Sequence, residues 1–353
     1  MKLTLESRSF RLPLRAGLDS AHGRRTVVEG VLLRVQDGQG GVGLGEVTPL
    51  PEFGTESLEA ALRALGSVWL IRIPDSLSQV PEAFRMDRGA PATRAGVELA
   101  FLDLLARRRG VPLAQLLGAG VAGAVPVNAL LRSEPPDALA REARAAAAAG
   151  FKTLKVKVGV SPASNDGSRL RAVRDAVGTA VKLRVDANGA WSESEARLRL
   201  AELVGVGLEY AEQPVAPHDI AGLRRLRALV PVAADEALGS PGAAEALLDG
   251  AEGPAADVLI LKLPVLGGLL PALELARRAG ARGVDAVVTS AMDGAVGRAG
   301  AAHLACALGG TRAHGLATGS LLVEDPGAHP VVDGALLLPN QRGLGIAPEA
   351  LGW

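Results

Sequence analysis

The chain has 353 residues, enough for one large domain or two, and its 48% hydrophobic and 22% charged content lies outside the disordered range. Its 38 basic and 38 acidic residues cancel, which excludes the electrostatic footprint of a nucleic-acid or anionic-membrane partner. A single cysteine, Cys306, excludes an internal disulfide framework and a cysteine-rich metal site.

In chain order, the first residues, "MKLTLESRSFRLPLR", interleave charged and apolar side chains, unlike a secretory signal. No uninterrupted apolar run reaches membrane-spanning length, so a soluble cytoplasmic protein is expected. "KLTLESRSFRL" and "VVEGVLLRVQDGQGGVGLGEV" predict strands, the second a β-hairpin that absorbs its glycines. "ESLEAALRALGSVW" and "TRAGVELAFLDLLARRR" predict helices. Strands followed by helices predict a separate α+β unit, and "GAGVAGA" suits a linker after it.

From Val125 the texture repeats. Short β-like runs begin at "VPVNALL", "TLKVKVG", "KLRVDAN", "LEYAEQP", "VPVAADEA", "DVLILKLP", "DAVVTSAM" and "HGLATG". Stretches of helical period, such as "PDALAREARAAAAAG", separate them. Eight strands alternating with helices predict a (β/α) barrel. A doubly wound nucleotide fold would need a glycine-rich turn after its first strand, and "VPVNALLRSEPP" has none. The loop-rich tail after Gly319 is expected to pack back on the first unit.

"TLKVKVG" poses a problem of its own. Side chains alternate along a strand, so Lys155 and Lys157 share one face while Leu154, Val156 and Val158 share the other. Taken alone, the lysine pair suits a solvated face better than an interior one. In a barrel, amines cannot sit against apolar helices, so both lysines should point inward, with Arg184 and Asp186 inward on the next strand. The C-terminal strand ends, where barrel active sites lie, then carry Asp186 and Asn188, Glu212, Asp235 and Glu236, Lys262, and Ser290 with Asp293. Singly, each of Asp186, Glu212 and Asp235 reads equally as a helix-capping acid. As an ordered set they form an all-oxygen site that suits Mg²⁺ or Mn²⁺. The five histidines make no ligand pattern, and His303 reads as a packing residue.

Lys-x-Lys at 155–157, "DAN" at 186–188, "EQP" at 212–214, "DE" at 235–236 and "LKLP" around Lys262 resemble the muconate-lactonizing subgroup of the enolase superfamily. The resemblance implies an α/β fold: a modified TIM barrel of (β/α)7β type with an N-terminal α+β capping domain. Residues 1–120 would form the cap, 121–320 the barrel with the metal and catalytic residues, and 321–353 a segment packing on the cap. It implies Mg²⁺, with Mn²⁺ as a substitute, on Asp186, Glu212 and Asp235, supported by Asn188, Glu236 and Arg184. Lys157 and Lys262 would face each other across a small carboxylate substrate, with Lys155 beside Lys157 to tune it. No nucleic acid or membrane is expected, and a homo-oligomer is compatible.

Within that subgroup, "VVTSAMDGAVGRAGAAHLACALG" and "GEVTPLPEFGTESLEAAL" resemble segments of o-succinylbenzoate synthases. Gly294 departs from that pattern, standing where it has a hydroxyl residue. Phe53, Ser290, Met292, Asp293 and Gly294 would contact substrate; ordinary packing is the other reading of Phe53. "HGLATG" lacks the Asp-x-Asp that grips an ammonium in dipeptide epimerases. The expected activity is the dehydration that forms 2-succinylbenzoate. Racemization of N-succinylamino acids is the alternative, followed by dipeptide epimerization and muconate cycloisomerization.

Overall fold

The N-terminal strands β1 (Thr4–Ser20), β2 (Gly23–Gln36) and β3 (Val42–Val47) form an antiparallel sheet in that order. The computed structural model describes residues 3–20, 23–86, 89–159, 166–240 and 242–353. Asp37 builds the β2–β3 turn by accepting hydrogen bonds from the amides of Gln39 and Gly41. The β3 glycines have a packing role. Helix α2 (Pro91–Arg109) lies so close that a Cβ at Gly43 would stand 2.0 Å from the Ala100 carbonyl oxygen, and one at Gly45 2.1 Å from that of Gly96. Helix α1 (Leu58–Gly66), the short pair β4 (Trp69–Leu70) and β5 (Phe84–Arg85), and α3 (Leu113–Leu116) complete this unit.

After β6 (Ala124–Pro126) come seven parallel strands, each hydrogen-bonded to the next: β7 (Ala129–Leu131), β8 (Thr153–Lys157), β9 (Lys182–Asp186), β10 (Leu208–Glu212), β11 (Val232–Ala234), β12 (Val258–Leu261) and β13 (Asp285–Val288). Between them run α4 (Pro136–Ala148), α5 (Asp166–Val177), α6 (Glu193–Leu203), α7 (Ile220–Leu226), α8 (Ala243–Leu248), α9 (Leu263–Leu266) and α10 (Leu269–Gly280), and α11 (Ala295–Leu308) follows β13. The sheet closes through an extended segment at His314. Its amide donates to the Pro126 carbonyl and its carbonyl accepts from Asn128, while Gly315 exchanges bonds with Val288 and Ser290 on the other side. No α-helix follows this eighth segment among the described residues. The expected (β/α)7β architecture with an N-terminal cap is the observed one.

Strand parity behaves as the lysine pattern demands. Leu154, Val156 and Val158 are buried against the helices, while Lys155 and Lys157 point into the barrel. The tail runs back across the first unit. Val323 donates to the Pro13 carbonyl, Leu344 to Asp103 Oδ1, and β15 (Ala335–Leu337) pairs with both β14 (Val331–Val332) and β6. Trp353 lies under the guanidinium groups of Arg8 and Arg34, 5.1 and 5.4 Å from its ring centroid. Among the described residues, no helix is long and apolar enough to cross a membrane.

Candidate active site

Register brings the site together. Lys157 pairs with Asp186 across β8 and β9, and Asp186 with Glu212 across β9 and β10, so these three strands end level. Lys155 starts one inward position lower and reaches up between two carboxylates, 2.9 Å from Asp186 Oδ2 and 2.7 Å from Glu212 Oε1. Lys157 Nζ donates to Asn188 Oδ1 at 2.8 Å, and Asn188 Nδ2 donates to Glu236 Oε1 at 2.9 Å. On the opposite side Lys262 Nζ meets both oxygens of Asp235, at 2.6 and 2.5 Å. The Phe53 ring, from the cap, covers the same ammonium at 3.5 Å from its centroid.

The turns after β9 and β10 are held in left-handed backbone by residues other than glycine: Asn188 at φ 47° and Gln213 at φ 37°. Each is pinned by hydrogen bonds. The Asn188 amide donates to Asp186 Oδ1, and Gln213 Oε1 accepts from the amides of Asp235 and Ala237. Gln213 is thus the brace that sets the direction of Asp235. Sequence reasoning passed over it inside the quoted "EQP".

Electrostatics separate the carboxylates. Burial pushes Glu212 up to about 8, with Lys155 opposing and Asp186 and Asp235 adding repulsion. Burial likewise takes Asp235 to about 6 against the pull of Lys262. Burial acts the same way on Asp186, but Lys155 and Lys157 hold it below the usual carboxylate range. Burial pulls the Lys155 ammonium down, yet Asp186 and Glu212 together hold it well above the ordinary lysine value. Lys155 thus stands as a cation between two acids, on the same inward face as Lys157.

A cavity of about 670 Å³ opens over this floor. Phe53, Lys155, Lys157, Asp186, Asn188, Glu212, Asp235, Lys262, Ser290 and Met292 stand in its wall. Four expected residues do not. Glu236 stands behind Asn188. Arg184 points inward, but one layer below Asp186: it donates to Glu209 Oε2 and the Ala313 carbonyl and lies 4.6 Å from the Tyr210 ring centroid. Two residues back along a strand is roughly 6.6 Å lower in the barrel, which removes Arg184 from the carboxylates. Asp293 and Gly294 face the cap instead. Gly294 begins α11, whose unpaired amides need an acceptor, and Glu46 of β3 takes those of Gly294 and Gly297 at 2.7 and 2.9 Å. Asp293 folds back onto the Ala291 amide. A Cβ at 294 would lie 3.1 Å from Glu46 Oε2, so the glycine fits this junction.

The wall also contains residues that sequence reasoning missed: Asn128, Thr318, the ion pair of Arg25 and Glu52, and that of Arg298 and Asp325. One signal was present, an arginine inside the otherwise apolar "GAVGRAGAAHLACAL". His303 is fully buried and accepts from the Ala114 amide.

No three acidic, histidine or cysteine side chains among the described residues are arranged to hold an ion as they stand, because the two lysine ammoniums engage the carboxylates. The donor chemistry nonetheless fits a hard divalent cation. Three carboxylates stand together in a buried floor, where burial, with their mutual repulsion added, raises two of them, and Glu236 Oε2 is buried without a hydrogen-bond partner.

Residues 138–350 match the family described as "Enolase C-terminal domain-like", and residues 3–118 match "Mandelate racemase / muconate lactonizing enzyme, N-terminal domain". The chain is 34% identical over 342 residues to an o-succinylbenzoate synthase of Thermobifida fusca (strain YX), covering 96% of this chain and 88% of that one. It is 30% identical over 360 residues to the L-Ala-D/L-Glu epimerase of Bacillus subtilis (strain 168), covering 99% and 97%. A dipeptide epimerase structure from Enterococcus faecalis V583, complexed with Mg and the dipeptide L-Leu-L-Tyr, matches with a TM-score of 0.88 at 27% identity, over 98% of this chain and all of that one. These relatives share one scaffold and differ in their named reactions. The chain is an enzyme of the enolase superfamily.

Proposed function

We propose that the chain is an o-succinylbenzoate synthase, a carbon–oxygen lyase that dehydrates 2-succinyl-6-hydroxy-2,4-cyclohexadiene-1-carboxylate to 2-succinylbenzoate in menaquinone or phylloquinone biosynthesis, in the cytoplasm. The observation that carries this reading is the unequal setting of the two lysines. Lys262 is clamped under the Phe53 ring and on Asp235, whereas Lys157 donates to the neutral Asn188 amide oxygen. A syn dehydration needs proton traffic on one face and a stationary cation on the other.

Asp186, Glu212 and Asp235 would hold Mg²⁺. When bound, the ion supplies positive charge against the substrate carboxylate, which acidifies its α-proton. Lys157 takes that proton from the ring carbon and returns it to the departing hydroxyl on the same face, so that water leaves. Lys262 faces the opposite side as a fixed charge that stabilises electron density moving onto the carboxylate. Lys155 offsets the repulsion between Asp186 and Glu212, and Phe53 closes water out from the cap side.

A second reading, racemization of N-succinylamino acids, is favoured by one observation: both lysines stand in the wall of the same cavity. Side-by-side assays with Mg²⁺, following dehydration and α-proton exchange of an N-succinylamino acid in D₂O, test the choice. Dehydration should be the faster reaction. Exchange without dehydration would overturn the proposal.

A further inference from the structure

Arg298 sits on α11 with a side chain only 3% exposed, yet it stands in the cavity wall. It is held from two sides. One guanidinium nitrogen donates to the Asp293 carbonyl at 2.8 Å, and the other is ion-paired with Asp325, which the tail brings to the same wall. Between them lies Gly319. A Cβ there would stand 2.9 Å from Arg298 Nη2 and 2.9 Å from Asp325 Oδ2. Gly319 is one of the two positions where an ammonium-gripping acid pair would have to stand. The other is Ala317, and both line the cavity without a carboxylate. The backbone is bare where the guanidinium meets the wall.

We propose that Arg298 is a specificity-determining residue that reads a second carboxylate at the far end of the substrate, the end of a succinyl arm, with Asp325 as its positioning partner. This rests on the reading of the floor as the site for the first carboxylate. A guanidinium has five N–H donors in a plane, and the two identified bonds leave donors for a ligand oxygen. Burial strengthens each such contact and makes an uncharged arm a poor substitute. A Cβ at 319 would crowd both Nη2 and Asp325, so the glycine lets this ion pair stand intact at the cavity wall. Asp325 Oδ1, buried without a partner, is the competing feature. It would favour an arm ending in a donor, and the test includes that arm.

The test is binding rather than turnover. Calorimetry with Mg²⁺ compares 2-succinylbenzoate, its methyl ester at the succinyl carboxyl, and an analogue whose arm ends in an amine. The wild type should bind the diacid roughly ten- to hundredfold more tightly than the ester. Arg298→Met should erase that ratio while leaving ester affinity within about threefold, and Arg298→Lys should restore part of it. Asp325→Asn keeps the guanidinium and removes its counter-charge, so the preference for the diacid should be retained or grow. If Arg298→Met fails to fold by circular dichroism, the wild-type and Asp325→Asn ratios decide. A wild type without preference for the diacid, one that prefers the amine, an Arg298→Met enzyme that keeps the ratio, or an Asp325→Asn enzyme that loses it would each overturn the proposal. A chain that shows the charge preference but does not dehydrate keeps the anchor and loses the reaction. One that dehydrates without the preference loses only the anchor.

Discussion

Lys157 and Lys262 carry the same amine in unlike surroundings, and substitution should expose the difference. Lys157→Ala removes the group proposed to move the proton, so dehydration should vanish. Lys262→Arg keeps a positive charge that cannot act as a base, so a trace should survive, with misfit of the larger fork costing several orders of magnitude. Product formation by each variant is the measurement. A Lys157→Ala enzyme that still dehydrates beside a dead Lys262→Arg enzyme would reverse the two roles. The acids make a second case. Asp186→Asn, Glu212→Gln or Asp235→Asn should abolish turnover while far-UV circular dichroism stays unchanged, because the residues stand at strand ends above the packed interior. EDTA treatment should do the same reversibly. Full activity in metal-free enzyme would sink the assignment of these three as ligands.

At the scale of elements, the junction of β3 with α11 couples cap to barrel through charge. Glu46 occupies the start of α11, and Asp293 lies beside it, buried. Burial, reinforced by Glu46 and opposed by Arg298, pushes Asp293 up to about 7. The folded chain therefore holds this proton more tightly than the unfolded chain, in which an aspartate titrates near 4. Its stability contribution is largest at low pH and is lost as pH rises from about 4 through about 7, by up to about 4 kcal/mol. Asp293→Asn keeps an acceptor for the Ala291 amide and removes the titration. The variant should melt higher than the wild type at pH 8, and by a clearly smaller margin at pH 5. Parallel melting curves across that range would show that Asp293 stays ionised without penalty. The network around Arg184 works differently. This fully buried guanidinium joins β9 to Glu209 on β10 and to the closing segment at Ala313, so it fastens the barrel below the site.

Across the whole molecule, what the sequence reveals and what it hides divide along a physical line. Alternation in "TLKVKVG" places two lysines on one face, and the barrel leaves that face a single destination. Acids at successive strand ends are equally legible, since strand order in a parallel barrel follows chain order. Contacts between units are not. Gly294 meets Glu46 across 248 residues, and neither local period nor motif says that its amide is taken by the cap. Arg298 and Asp325 meet only because the tail turns back over the barrel. The same long-range packing fixes the end of the chain. Trp353 is covered by Arg8 of β1 and Arg34 of β2, and the carbonyl of Gly352 accepts from Arg8. Its cost of removal combines lost burial of an indole with two cation–π contacts, about 2–3 kcal/mol for a partly exposed site. Trp353→Ala should therefore lower the apparent Tm by several degrees. It should leave kcat for dehydration nearly unchanged, because the indole stands outside the cavity wall. Arg34→Met separates the contributions, since it keeps apolar cover over the ring and removes one cation. It should lose less than Trp353→Ala. A Tm unmoved by Trp353→Ala would mean that the tail is held by its other bonds, among them those to Pro13, Val111, the Asp103 carboxylate and β6.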